Sequence, residues 1–148
     1  MECKVVSFES TKVFGMEYRG KNENGEIPKL WEVFMQKYSQ INPNGYEDMY
    51  GLYYDYDESG TFTSFAGVKF DNSKTLPEGM VIKEIPARDY AVFTFKGHIS
   101  EIGVFWEKIY TEYMAKNNLT IDYGLSFELY DERFAKSGEC DIYVPIKK

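Results

Sequence analysis

The stretch 123–131, Tyr-Gly-Leu-Ser-Phe-Glu-Leu-Tyr-Asp, holds the residue best suited to chemistry, Glu128. Leu125, Phe127 and Leu129 alternate with Gly124, Ser126 and Glu128, which is the period of a strand. The Glu128 side chain therefore points away from the Leu/Phe set. A carboxylate in aromatic-rich surroundings is costly to desolvate unless it is paired or meets a cation. Ringed by aromatic faces, it suits an apolar, planar cation through charge pairing and cation–π attraction, each such contact contributing roughly 0.5–2 kcal/mol. Burial would also raise its pKa toward neutrality, the requirement for a general acid or base. The plain alternative is a solvent-facing strand glutamate. The residues alone leave these readings open.

Trp31 and Trp106, the two tryptophans, lie on the apolar stripes of helical segments. An aromatic at helical spacing is most often core. Trp106 is the stronger candidate wall, because it shares a half of the chain with Glu128 and stands beside Tyr110. Tyr143 lies on the opposite strand face from apolar Cys140, Ile142, Val144 and Ile146, where the first half has Gly67. Strand parity and helix phase add Tyr53 and Tyr110 to the candidate ligand-binding set. Asp55 is the repeat counterpart of Glu128, but its Asp55-Tyr56-Asp57-Glu58 setting reads as an exposed turn. His98 is the sole histidine, and no nucleophile elbow, phosphate-cradling glycine loop or Cys/His metal set is present. No cofactor and no metal are expected, and a catalytic role would fall to Glu128.

The elements that position these residues come in two copies. Tyr50-Gly51-Leu52 matches Tyr123-Gly124-Leu125, and Asp55 then meets Glu128. Ile27, Leu30, Trp31, Phe34 and Tyr38 recur at i, i+3, i+4, i+7 and i+11, an amphipathic helix. Ile102, Phe105, Trp106, Ile109 and Tyr113 repeat them position for position. Asn24 is the expected cap of the first helix, with Pro28 in its first turn and a stop at residues 42–45. Residues 4–20 read as a hairpin-like beginning, replayed over 81–97, where Phe8 meets Ile85 and Met16 meets Phe93. Strands are expected over 49–57, 61–70, 123–131 and 139–146. The reading is one α+β domain over 1–148. It consists of two pseudo-symmetric β-α-β-β repeats (about 5–70 and 81–146) joined by a linker at 71–80, with an antiparallel sheet, two amphipathic helices and a groove between the halves.

The totals narrow the function. With 17 Lys and Arg against 24 Asp and Glu, the net charge is −7, which disfavours direct nucleic-acid binding. Aromatics at 18% are high, and the excess must line either a core or something concave. Two cysteines without metal-ligand spacing, and no apolar run of signal or membrane length, fit a cytoplasmic protein.

Two β-α-β-β halves, the run Tyr50-Gly51-Leu52-Tyr53-Tyr54-Asp55, the run Phe127-Glu128-Leu129-Tyr130 and the closing Asp141-Ile142-Tyr143-Val144-Pro145-Ile146 resemble the GyrI-like small-molecule-binding family. This is also called the effector-binding domain of bacterial transcription activators. The resemblance runs from about Val5 to Ile146. It implies an α+β domain whose groove admits lipophilic, often cationic, compounds, with Glu128 as the groove acid, Tyr143 as the closing-strand tyrosine and Trp106 as the second-helix tryptophan. Some members carry a helix-turn-helix, and none is expected within this sequence, whose repeats begin near residue 5 and end near residue 146. The expectation is a stand-alone bacterial protein that sequesters or senses a lipophilic, cationic drug or toxin. Two alternatives come from relatives: a hydrolase of electrophilic small molecules using Glu128, and a modulator that binds gyrase.

Overall fold

The computed structural model describes residues 3–41, 47–70 and 76–147. Strand β1 (Lys4–Phe8) and β2 (Thr11–Gly20) precede helix α1 (Glu26–Ile41), and β3 (Met49–Tyr54) and β4 (Phe62–Lys69) complete the first half. The second half runs through β5 (Val81–Ile85), β6 (Arg88–Lys96), a helical stretch, β7 (Ser126–Tyr130), a short helix α4 (Glu132–Ser137) and β8 (Glu139–Pro145). The helical stretch opens as a 3-10 turn (Ile99–Glu101), becomes α2 (Ile102–Lys108), widens into a π turn (Ile109–Tyr113) and closes as α3 (Met114–Lys116).

All strands pair antiparallel in one eight-stranded sheet of order β1-β6-β8-β7-β3-β4-β2-β5. The order is symmetric about the β7–β3 seam: β7-β8-β6-β1 on one side mirrors β3-β4-β2-β5 on the other. The hairpin-like beginning expected for residues 4–20 is therefore corrected. β1 pairs with β6 of the other half, and β5 pairs with β2. Only Glu9 and Ser10 separate β1 from β2, and only Pro86 and Ala87 separate β5 from β6. Such links span at most about 11 Å, yet they join strands near opposite ends of the sheet. The sheet must curl until its ends meet. A glycine pair eases the bend: Gly15 faces Gly67, and a Cβ on Gly15 would lie 1.9 Å from the Ala66 carbonyl oxygen.

Curling buries both faces. Inside, one cluster draws on every strand or its flank: Val6, Phe8, Val13, Leu52, Tyr54, Phe65, Ile85, Tyr90, Leu125, Phe127 and Tyr143. Outside, α1 lays Leu30, Phe34 and Tyr38 on Phe14, Ala66 and Val68. Full burial of each such side chain contributes about 1.5–3 kcal/mol. The second helical stretch packs Ile109 and Met114 on Phe93, Cys140 and Ile142. The two helices thus sit over opposite halves, with the β3–β7 seam between them.

Local chemistry explains the helix ends. Asn22, at φ 55°, accepts the Ile27 N–H on its side-chain oxygen at 2.9 Å. Asn24, the expected cap, instead donates its backbone N–H to Glu26 at 2.7 Å. The expected stop at 42–45, and part of the 71–80 linker, lie outside the described residues. Helix α4 was not anticipated, although its signals are present: Asp131 accepts from the Arg133 N–H, and Gly138 ends the helix at φ 72°. Arg133 then pairs with Asp141 at 2.8 Å, whose other oxygen accepts from Thr94 at 2.8 Å, tying α4 to the sheet.

Candidate functional site

Glu128 lies on the β3–β7 seam, on the outer face, directly across from Gly51. It is 2% exposed, which removes the solvent-facing alternative. A glycine opposite is what gives the carboxylate room. A Cβ on Gly51 would stand 3.2 Å from Glu128 Oε1 and 3.2 Å from Trp31.

Three neutral donors converge on the carboxylate. Tyr130 donates its hydroxyl to Oε1 at 2.6 Å, Tyr53 donates to Oε1 at 3.0 Å, and the Trp106 indole N–H donates to Oε2 at 2.6 Å. They come from β7, from β3 in the other half, and from α2. Among the described residues no Lys or Arg forms an ion pair with Glu128. Burial raises the Glu128 pKa above its ordinary value, and the three hydrogen bonds oppose that rise without cancelling it. The same burial, with the carboxylate beside them, holds the Tyr53 and Tyr130 hydroxyls far above the usual phenol range. Both stay protonated as donors.

An aromatic shell surrounds this center. Tyr53 meets Trp106 edge-on with centroids 5.8 Å apart, Trp106 stacks on Tyr110 at 5.9 Å, and Trp31 of α1 meets Tyr130 edge-on at 5.6 Å. Of the residues singled out in the sequence, Glu128, Trp106, Tyr53 and Tyr110 are brought together. Tyr143 is not. Its cross-strand partner is Phe127, on which it stacks at 4.3 Å, so it points into the curled sheet with Phe8 and Tyr90. The partner of Glu128 on β8 is Ile142. Because the sheet is buried on both faces, lying away from an apolar set does not place two strand residues on the same side. Asp55 ends β3 in an exposed turn, as expected.

Tyr130 and Trp31 were missed as members. Tyr130 was within reach of the strand period, being two residues from Glu128 and hence on its face. Trp31 is half-buried on the α1 stripe, and only the helix's position over the seam puts it beside the carboxylate. Among the described residues, no group of three or more His, Cys, Asp or Glu could hold a metal ion, and no helix is long and apolar enough to cross a membrane.

A curled antiparallel sheet carrying a buried acid on a pseudo-symmetric seam has relatives. The profile of Cass2, the integron-associated effector-binding protein family, matches residues 4–146. The chain belongs to this family of GyrI-like effector-binding domains. Within reach of it is the transcriptional regulator BrlR of Pseudomonas aeruginosa, 34% identical over 99% of this chain and 56% of BrlR. The chain thus spans little more than half of that relative. YobU of Bacillus subtilis is 33% identical over 85% of this chain and 82% of its own. The fold of the family is also that of SAV2435, solved with tetraphenylphosphonium bound. It superposes with a TM-score of 0.77 at 20% identity, covering 99% of this chain and 94% of that one.

Proposed function

We propose that this effector-binding domain binds lipophilic organic cations at Glu128, with Trp106, Tyr53, Tyr110, Tyr130 and Trp31 as the surrounding walls. The observation that carries the reading is a buried carboxylate held by three neutral donors, with no described cation paired to it. An ionised carboxylate in that setting keeps its charge uncompensated, and a lipophilic cation is the ligand that compensates it without bringing a large hydration cost. The tetraphenylphosphonium held by SAV2435 has this chemistry. The Trp106 indole N–H already occupies Oε2, so a cation that pairs with that oxygen competes with this donor. Tyr143 contributes to this site only indirectly, by packing beneath Phe127, the neighbour of Glu128.

The test compares tetraphenylphosphonium with neutral triphenylphosphine oxide, titrated against the protein by calorimetry. Glu128→Gln keeps the side-chain shape and removes the charge. The expected outcome is a loss of roughly tenfold or more in affinity for the cation and little change for the neutral compound. Equal weakening of both would sink the charge argument.

A further inference from the structure

The two halves of the chain hold each other along a ladder that keeps its register throughout. Phe8 pairs with Arg88 and Thr11 with Ile85, so both two-residue links are crossed without a slip. β1 with β2, and β5 with β6, therefore act as two long strands, paired from Lys4↔Val92 through to Gly15↔Val81. A second strip, the β3–β7 seam, joins the halves from Met49↔Tyr130 to Tyr53↔Ser126. Between the strips, the inner cluster draws Leu52 and Phe65 from the first half and Tyr90 and Phe127 from the second. Each half supplies the strand edges and apolar faces that the other lacks.

The covalent join between the halves is slight by comparison. β4 ends at Lys69 and β5 begins at Val81, so residues 70–80 are the whole of it. Lys69 lies beside Val13 and Val81 beside Gly15, on the two flanks of β2. Two strand spacings separate those flanks, roughly 10 Å. A join of this length reaches about 40 Å at full extension. It is far longer than that separation, and nothing in the pairing distinguishes a half on the same chain from the same half on another.

We propose that this chain also assembles as a half-exchanged dimer, in which residues 4–69 of each copy pair with residues 81–145 of the other. The surface is the one that already joins the halves, so its occupant is a second copy of the chain. Exchange of identical elements between protomers is a low-cost route to a dimer. Each Glu128 site is then shared: Trp31 and Tyr53 come from one copy, and Trp106, Glu128 and Tyr130 from the other. Within one chain, the join holds the partner half at an effective concentration on the order of millimolar. The closed monomer therefore prevails in dilute protein, and exchange prevails where chains fold together at or above that concentration. Once formed, the dimer persists on dilution, because release requires parting both strips and the inner cluster. The inference does not depend on what the site binds.

The experiment refolds from urea two full chains, one carrying Ser7→Cys and the other Asp89→Cys. Ser7 and Asp89 face each other across β1 and β6, the hydroxyl 2.8 Å from the carboxylate oxygen. Paired positions on adjacent strands lie within the Cα separation that a disulfide bridges. The two introduced thiols meet only when β1 of one copy pairs with β6 of the other. Refolded together at about 1 mM and mildly oxidised, the mixture is expected to give a covalent dimer that reductant releases. Neither chain refolded alone, nor the two refolded apart and then mixed, is expected to give it. Cys3 and Cys140 are common to every sample, so disulfides through them show in those controls as well. Refolding about a hundredfold more dilute is expected to lower the yield of covalent dimer about tenfold or more. The unaltered chain, refolded at the high concentration and then diluted, is expected to scatter light at twice the monomer mass. A mixture without the covalent dimer, or an unaltered chain that is monomeric after concentrated refolding, overturns the proposal.

Discussion

Burial without a counter-cation gives Glu128 a defined pH signature. Its folded pKa lies above the ordinary carboxylate value of 4.5, chiefly through desolvation. The folded state therefore holds this proton to higher pH than the unfolded chain does, and the sign follows. Below about pH 4.5 both states are protonated and burial of this group carries no charge penalty. As pH rises from there to the folded pKa, stability falls, and above it the loss is constant. Glu128→Gln has no proton to lose. Its melting temperature relative to the unaltered protein is expected to rise as pH moves from 4.5 toward 8, followed by thermal denaturation at matched ionic strength. A difference that stays flat over that range would show that Glu128 is not buried as a lone acid. The same ionisation strengthens cation binding with increasing pH, so ligand and proton compete for one carboxylate.

At the scale of elements, the two helices differ in how they are held. Helix α1 buries Leu30, Phe34 and Tyr38 on the sheet. Helix α2 buries no residue fully, and its anchors, Ile109 and Met114, come only in the π turn and α3. Trp106 and Tyr110 straddle the change from α to π geometry, a feature frequent at functional sites. Weak burial lowers the cost of local opening. Amides of α2 are expected to exchange with deuterium on the order of tenfold faster than those of the α1 midsection. A saturating lipophilic cation should alter protection most in α2, which carries Trp106, and less in α1 around Trp31. Uniform protection across both helices would mean that α2 is as fixed as α1 and does not yield.

Exchange of the leading strands sets the behaviour of the whole molecule. Because β1 completes the second half and β5 completes the first, each half lacks an edge without the other. Phe8 carries much of this connection, meeting Phe127 at 5.2 Å, Tyr90 at 5.8 Å and Tyr143 at 5.8 Å. Phe8→Ala is expected to lower stability by about 2–4 kcal/mol, with urea unfolding still a single transition seen alike by tryptophan fluorescence and circular dichroism. Two separated transitions, the first confined to the second half, would argue that the halves unfold independently.

Much of this arrangement is already written along the chain. The duplication, the two amphipathic stripes with Trp31 and Trp106, the acid at 128 and its aromatic company follow from local periodicity. Side chains two apart on a strand, or three and four apart on a helix, must share a face. Resemblance to the GyrI-like family was likewise carried by residues adjacent in sequence. What local periodicity cannot contain is register between distant strands. Pairing Phe127 with Tyr143 instead of Ile142 turns Tyr143 inward while Glu128 faces out, and a slip of β8 by one residue would put Tyr143 on the Glu128 face. The partnering of β1 with β6, and the curl that buries both faces, depend on links of two residues whose meaning appears only once the strand order is known. Trp31 belongs beside the carboxylate only because α1 lies over one half and α2 over the other, leaving the seam between them. Sequence alone determined which residues could share a face within each element. Tertiary structure decided which faces meet, because cross-strand register and helix placement are set by packing between segments far apart in the chain.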